Sequence, residues 1–128
     1  MQLYTCQLGQ WRAAKASGAE LLDITVRSGN RAFAPEWDMV MGHKDGTLSD
    51  RDYAGQYCEM MRRSLETNAG EWDRLLNSEA PVAIACYCRA GKFCHRHLLK
   101  ILIERQCARR GIPFAYLGEL VPENRRQG

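Results

Sequence analysis

Three cysteines crowd the segment between residues 86 and 94, where an apolar run passes through a short loop into a long helical pattern. The run reads VAIACYCRAGKFCHRHLLKILI, from Val82 to Ile103. A thiol at a helix start has its pKa lowered by the helix dipole and by neighbouring cationic side chains. Cys94 has this position and precedes His95, so the sequence predicts a reactive thiolate at Cys94, with Cys94 and His95 as candidate catalytic residues. Adjacent side chains on a helix diverge, which makes His43 an alternative partner.

The same thiols permit two other interpretations, zinc binding and ordinary packing. Cys86, Cys88 and Cys94 are suitable zinc ligands in type and number. The spacing C-x-C-x5-C-H differs from the familiar zinc-finger spacings, so zinc is a candidate cofactor that the sequence does not favour. A tyrosine-phosphatase loop, Cys-x5-Arg, is excluded, because Lys92 follows Cys86 at that spacing and Cys94 follows Cys88.

Basic side chains in and beside the loop predict a phosphate-bearing ligand. Arg89, Lys92 and Arg96 are close in sequence to the predicted helix start, whose free N–H groups bind anions. Asp23 and Arg27 flank the end of the second predicted strand. Because the carboxyl ends of parallel strands line one crevice, we expect Arg27 to reach the same ligand. A buried acid needs a partner, so we expect Asp23 to pair with Arg27 or Arg96.

Aromatic side chains outside the loop are candidates for a wall on which a base stacks. They are Trp37, Tyr53 and Tyr57, although tyrosines at helical spacing also suit a core. Together with Cys88, they complete the predicted ligand-binding set. Basic and aromatic groups in one pocket indicate a nucleotide or a nucleotide derivative.

The elements that must position these residues alternate between strand and helix. Strands are predicted at 2–8, 20–26, 82–86 and 114–117, and helices at 9–17, 50–67, 70–77 and 94–110. Such alternation predicts a compact Rossmann-like α/β sandwich with a mostly parallel sheet of about four strands. We expect one domain over residues 1–128, with the loop 27–48 as a lid or pocket wall and 119–128 as a loose tail.

Composition excludes several classes of protein. The chain has 128 residues, is 45% hydrophobic and carries a formal net charge of +3, which is less basic than a dedicated nucleic-acid binder. No apolar run is long enough to span a membrane, and the start lacks the features of a signal peptide, so a cytoplasmic protein is expected. Cys6, Cys58 and Cys107 are predicted to pack in the core. The apolar loop 27–48 would also suit a homodimer contact.

The chain resembles the family called domain of unknown function 488, which includes the YeaO-like proteins. The resemblance rests on Tyr4-Thr5 in the first strand, the segment from Asp23 to Arg27, the strand cysteine Cys86, and the triplet Cys94-His95-Arg96. Cys88 stands where the family usually has an acid. The resemblance implies a small α/β fold with a polar pocket and no settled activity. Members occur in bacteria, archaea and phages, and a short stand-alone form would suit a phage.

These observations leave three functions open. The first is a small cytoplasmic domain that binds a phosphate-bearing ligand, a nucleotide above all, at the site 86–96. The second is a cysteine-dependent enzyme that acts on a nucleotide or on a base in nucleic acid. The third is a zinc-stabilised interaction domain.

Overall fold

A computed structural model describes residues 1–88 and 93–121 as four strands and five helices. The strands are β1 (Gln2–Gln7), β2 (Glu20–Asp23), β3 (Val82–Cys86) and β4 (Ala115–Leu120). The helices are α1 (Trp11–Ala16), α2 (Trp37–Asp45), α3 (Asp50–Thr67), α4 (Ala69–Leu76) and α5 (His95–Arg110). A single 3-10 turn, Leu8–Gln10, joins β1 to α1. None of the described helices has the length and apolar character needed to cross a bilayer.

The four strands form one parallel sheet in the order β2-β3-β1-β4. Cys86 of β3 is in register with Gln7 of β1. On the other edge of β1, Thr5 is in register with Glu119 of β4. All four strands point the same way, so their carboxyl ends meet at one edge, where open α/β sheets bind ligands. The predicted Rossmann-like α/β sandwich is therefore confirmed.

The side chains of each strand alternate between two apolar clusters, as the period of a strand requires. Val82, Ile84 and Cys86 of β3 belong to the larger cluster, which also contains buried residues of α3, α4 and α5. Ala83 and Ala85 belong to a smaller cluster with Ala14 of α1. The larger helical layer thus lies on the face of the sheet that carries Cys86.

Three predicted boundaries were wrong in ways that affect the site. The expected loop 27–48 contains α2, which ends where Gly46 adopts a left-handed φ of 86°. The second strand stops at Asp23 rather than at residue 26. The fourth strand continues to Leu120, so Glu119 belongs to the sheet and not to the predicted tail; residues 122–128 of that tail lie outside the described residues.

Candidate functional site

Three thiols meet at the carboxyl end of β3. Cys86 is the last residue of that strand, Cys88 follows it, and Cys94 is the N-cap residue of α5. The three Sγ atoms all lie within 4.8 Å of one another. Cys86 and Cys94 are buried, whereas Cys88 is half-buried. The strand, the loop and the helix start thus bring together the three cysteines that the sequence singles out.

A buried arginine donates hydrogen bonds to this cluster. The Arg96 side chain is 0% exposed, and its Nη1 donates to Cys86 Sγ at 3.0 Å and to the Cys88 carbonyl at 2.7 Å. Its Nε and Nη2 donate to the two carboxylate oxygens of Glu119, at 3.3 and 2.8 Å. The β4 strand supplies Glu119, so the cation is fixed between a carboxylate and a thiol. Arg96 was predicted to bind phosphate, but its guanidinium is committed to these groups.

The three thiols differ in their readiness to ionise. Hydrogen bonds donated by the Cys88 and Cys94 thiols, with help from the positive charge of Arg96, hold the pKa of Cys86 far below its usual value despite burial. Since those two thiols keep their protons to donate to Cys86, and since they are also desolvated, the pKa of each is raised. The sequence-based assignment of the lowered pKa to Cys94 was therefore wrong, because the nearby thiolate outweighs the helix dipole.

His95 supplies a basic nitrogen beside Cys94. Its Nε2 lies 2.7 Å from the Ile24 carbonyl oxygen, to which only an N–H can donate. Burial lowers the pKa of His95, which favours the neutral ring. The neutral ring then carries a lone pair on Nδ1, which lies 3.6 Å from Cys94 Sγ. A proton can therefore pass between the Cys94 thiol and His95 Nδ1. The expected divergence of adjacent side chains on a helix does not separate these two atoms.

A cavity of about 130 Å³ opens above the thiols. Its floor includes Cys86, Cys88 and Cys94, and one wall is made by α2. Three lining rings pack on one another, those of His43, Tyr53 and Phe93. The ring centres of His43 and Phe93 are 5.3 Å apart. The centre of the Tyr53 ring lies 5.0 Å from that of His43 and 5.7 Å from that of Phe93. The result is an aromatic wall next to a thiolate. The predicted loop 27–48 does serve as a pocket wall, but as a helix.

Two cationic side chains lie at the rim of the cavity. Arg27 and Lys44 both belong to the lining and are exposed. The guanidinium carbon of Arg27 lies 5.5 Å from the centre of the Trp37 ring, and Trp37 is 46% exposed. The aromatic and basic groups expected from the sequence thus come together in Trp37 and Arg27.

Other predicted site residues have structural partners. Tyr57 is fully buried and donates to the Phe33 carbonyl at 2.6 Å, so it belongs to the core rather than to the aromatic wall. Asp23 accepts from the Thr25 N–H at 2.8 Å and from the Ser28 hydroxyl, and so stabilises the turn after β2 instead of pairing with an arginine. The predicted ligands Arg89 and Lys92 lie outside the described residues.

Sequence reasoning missed one residue of the centre, Glu119. It was assigned to a tail because the predicted strand ended at residue 117. An available signal was the apolar Leu120, which continues the strand pattern and is buried against the sheet.

The three cysteines also offer a donor set for a metal ion. Three sulfurs within 4.8 Å suit a soft cation such as Zn²⁺, which binds thiolates at about 2.3 Å. The described residues add no fourth histidine, cysteine or carboxylate to this group. The Arg96 cation on Cys86 Sγ already compensates a thiolate there. Zinc, which the sequence did not favour, stays an untested alternative.

Comparison with known proteins identifies one family. A family model described as "Active DUF488-N3 subclade", DUF488-N3a, matches residues 8–107, which include α1 to α4 and the whole thiol cluster. No curated protein and no solved structure gave a significant match to the chain. The resemblance to domain of unknown function 488 is thus confirmed, whereas the phage origin stays a prediction.

Proposed function

Because this chain belongs to the DUF488-N3a family, described as active, we propose that it is a cysteine-dependent enzyme whose cavity accepts a nucleotide or a nucleobase. The single observation that carries the proposal is the Cys86 thiol at the cavity floor, with Arg96 Nη1 at 3.0 Å and two thiol neighbours. A thiolate, rather than a thiol, is the nucleophile in cysteine chemistry.

The arrangement around Cys86 goes beyond what packing requires. A buried arginine is costly unless its charge is compensated. Here the carboxylate of Glu119 compensates it, and Arg96 still turns Nη1 toward the sulfur. All six cysteines are free thiols, which suits a reducing compartment, and we propose the cytoplasm.

Cys94 and His95 supply the proton that such a reaction needs. The Cys86 sulfur would form a bond to an electrophilic carbon of the substrate, and the electron pair of the broken bond would leave with the departing group. That group would take the Cys94 proton, since Cys94 becomes a stronger acid once the thiolate charge beside it is consumed. Water would then release the covalent intermediate, regenerate the Cys86 thiolate and return a proton to Cys94 by way of His95 Nδ1.

The cavity walls suggest the substrate class. Tyr53, Phe93 and the exposed Trp37 offer flat surfaces for a purine or pyrimidine ring. Arg27 and Lys44 at the rim lie outside the thiolate centre and are free to meet a phosphate. Both a free nucleotide and a base extruded from nucleic acid carry such a ring, and the assay below includes both.

A second candidate is capture of a nucleotide without turnover. It is supported by Arg27 and Lys44, which line the cavity beside Trp37. In that case the thiolate would be an element of the binding floor. The zinc-stabilised interaction domain and the homodimer stay predictions.

The test is incubation of the purified protein with nucleotides, nucleosides, free bases and a short single-stranded oligonucleotide, followed by mass analysis of each small molecule. We expect one class to be converted by the wild type. Cys86→Ser should lose at least about a hundredfold in turnover, while nucleotide affinity changes by only a few fold. Cys58→Ser is the matched control, because Cys58 lies on α3 and does not line this cavity.

The outcomes separate the candidates. Tight binding of a nucleotide that is recovered unchanged would favour capture over catalysis. Turnover by Cys86→Ser at the wild-type rate would refute the role of Cys86. Failure of every compound to bind would refute the assigned ligand class.

A further inference from the structure

We infer that Cys86 and Cys94 form an intramolecular disulfide when the protein meets a hydroperoxide, so that the cavity floor is a site of reversible oxidative modification. The inference rests on the same reactive Cys86 as the proposed function, but it does not require a nucleotide substrate. It concerns a covalent bond within the protein.

The sulfur atoms of the cluster already lie near one another. The Sγ atoms of the three clustered cysteines lie within 4.8 Å of one another, and a disulfide needs about 2.05 Å. Bond formation therefore requires one or both side chains to move. Cys6 and Cys107, the other fully buried cysteines, are not members of the group.

The contacts favour Cys94 over Cys88 as the partner of Cys86. Both sulfurs lie within 4.8 Å of Cys86 Sγ, and the chain bends at Tyr87 and Cys88, so distance does not choose between them. Cys94 has a base beside it, because His95 Nδ1 lies 3.6 Å from its sulfur. Since a thiolate is the attacking species in disulfide formation, this base makes Cys94 the expected partner.

The chemistry has two steps. The Cys86 sulfur attacks one peroxide oxygen, the O–O bond breaks, and Cys86 becomes a sulfenic acid while the departing oxygen takes a proton to leave as an alcohol or water. The Cys94 sulfur then attacks the Cys86 sulfur, the S–O bond breaks, and the released hydroxide takes the Cys94 proton to form water. Two thiols lose two electrons in total, and the hydroperoxide gains them. His95 Nδ1, 3.6 Å from Cys94 Sγ, can hold that proton during the attack.

The consequence is loss of the nucleophile. A disulfide at Cys86 removes the thiolate that accepts from Arg96 Nη1, leaves that nitrogen the Cys88 carbonyl, and takes the nucleophile from the cavity floor. A thiol reductant would restore both. Cys88 remains a free thiol throughout, which makes it the internal control.

The experiment treats the whole protein with one equivalent of hydrogen peroxide, blocks the remaining thiols with N-ethylmaleimide, and maps unreduced tryptic peptides by mass spectrometry. Arg89 and Lys92 place Cys86 and Cys94 on different peptides, so a crosslink is visible by mass. Cys86 shares its peptide with Cys88, and fragmentation of the linked pair shows which of the two carries N-ethylmaleimide. We expect that crosslink, the loss of two hydrogens from the intact mass, and reversal of both by dithiothreitol.

Two variants test the choice of partner. Cys94→Ser should stop at the sulfenic acid, which dimedone traps on Cys86, whereas Cys88→Ser should still form the crosslink. A Cys86–Cys88 linkage, or no crosslink in the wild type, would overturn the inference. Iodoacetamide labelling of parallel samples that receive no N-ethylmaleimide separates the two proposals. Normal labelling of Cys86 without a crosslink defeats this inference alone, and a crosslink without nucleotide turnover defeats the proposed function alone.

Discussion

Removal of the Arg96 cation should raise the pKa of Cys86, because this cation is one of the groups that stabilise the thiolate. The single substitution Arg96→Met would leave Glu119 unpaired in a largely buried position, which costs about 3–5 kcal/mol when one partner of a buried pair is lost. The double variant Arg96→Met/Glu119→Gln removes both charges together and keeps the fold comparable. It is the better test.

The magnitude follows from the geometry. With Arg96 Nη1 3.0 Å from Cys86 Sγ, Coulomb's law at an effective dielectric constant of about 20 gives roughly 5.5 kcal/mol of attraction. The Glu119 carboxylate, 2.8 Å from Nη2 of the same guanidinium, cancels part of it. If half remains, it corresponds to about a hundredfold change in the ionisation equilibrium. Burial of Cys86 opposes the thiolate, and in the variant the hydrogen bonds from the Cys88 and Cys94 thiols would act against burial without the Arg96 charge.

The assay is the rate of iodoacetamide labelling of Cys86 as a function of pH, measured by peptide mass mapping. A rate at one pH is a poor readout, because a thiolate of low pKa is also a weaker nucleophile and the two effects offset each other. The midpoint of the pH profile is decisive. We expect the midpoint of the double variant to lie about two pH units above that of the wild type, as a hundredfold change in ionisation requires.

The matched control is Arg105→Met, on the same helix but exposed to solvent. It should keep the wild-type midpoint. An unchanged midpoint in the double variant would show that the cation does not help to hold the thiolate. A wild-type rate that still rises tenfold per pH unit up to pH 8 would refute the thiolate at Cys86 altogether.

Three further predictions concern groups around the site. Tyr57→Phe leaves the Phe33 carbonyl without its donor and should lower the free energy of unfolding by about 1–3 kcal/mol in urea, with labelling of Cys86 unchanged; altered labelling would place Tyr57 in the site after all. Gly29→Ala puts a Cβ against the backbone of Thr25 and should cost about 1–3 kcal/mol or more in thermal unfolding, so an unchanged melting temperature would contradict the close approach. Burial lowers the pKa of His95, so the unfolded chain binds that proton first. The contribution of neutral His95 to the free energy of unfolding is fully present above the pKa of about 6.5 in the unfolded chain, and it declines as pH falls below that value. Urea titrations at pH 7 and 5 should show this decline, and His95→Gln should reduce it; equal declines in both proteins would exclude His95 as the cause.

Much of the fold is readable from the sequence because its signals are local. The apolar run of β3 was predicted with its observed bounds, and α3 begins after Ser49, whose hydroxyl accepts from the Asp52 N–H as an N-cap should. The helix α2 escaped prediction because glycine and proline punctuate its surroundings, and its apolar residues suited a covering loop as well as a helix.

The crowding of Cys86, Cys88 and Cys94 at a strand-loop-helix junction was already determined by the sequence, since all three lie within nine positions. Which thiol loses its proton was decided by tertiary structure. The last strand pairs with β1, and this brings the Glu119 carboxylate to Arg96, whose free donor then faces Cys86. Ionisation of Cys86 depends on hydrogen bonds from the two other thiols and on the Arg96 charge, and these groups reach their relative positions only when β3, β4 and α5 pack together.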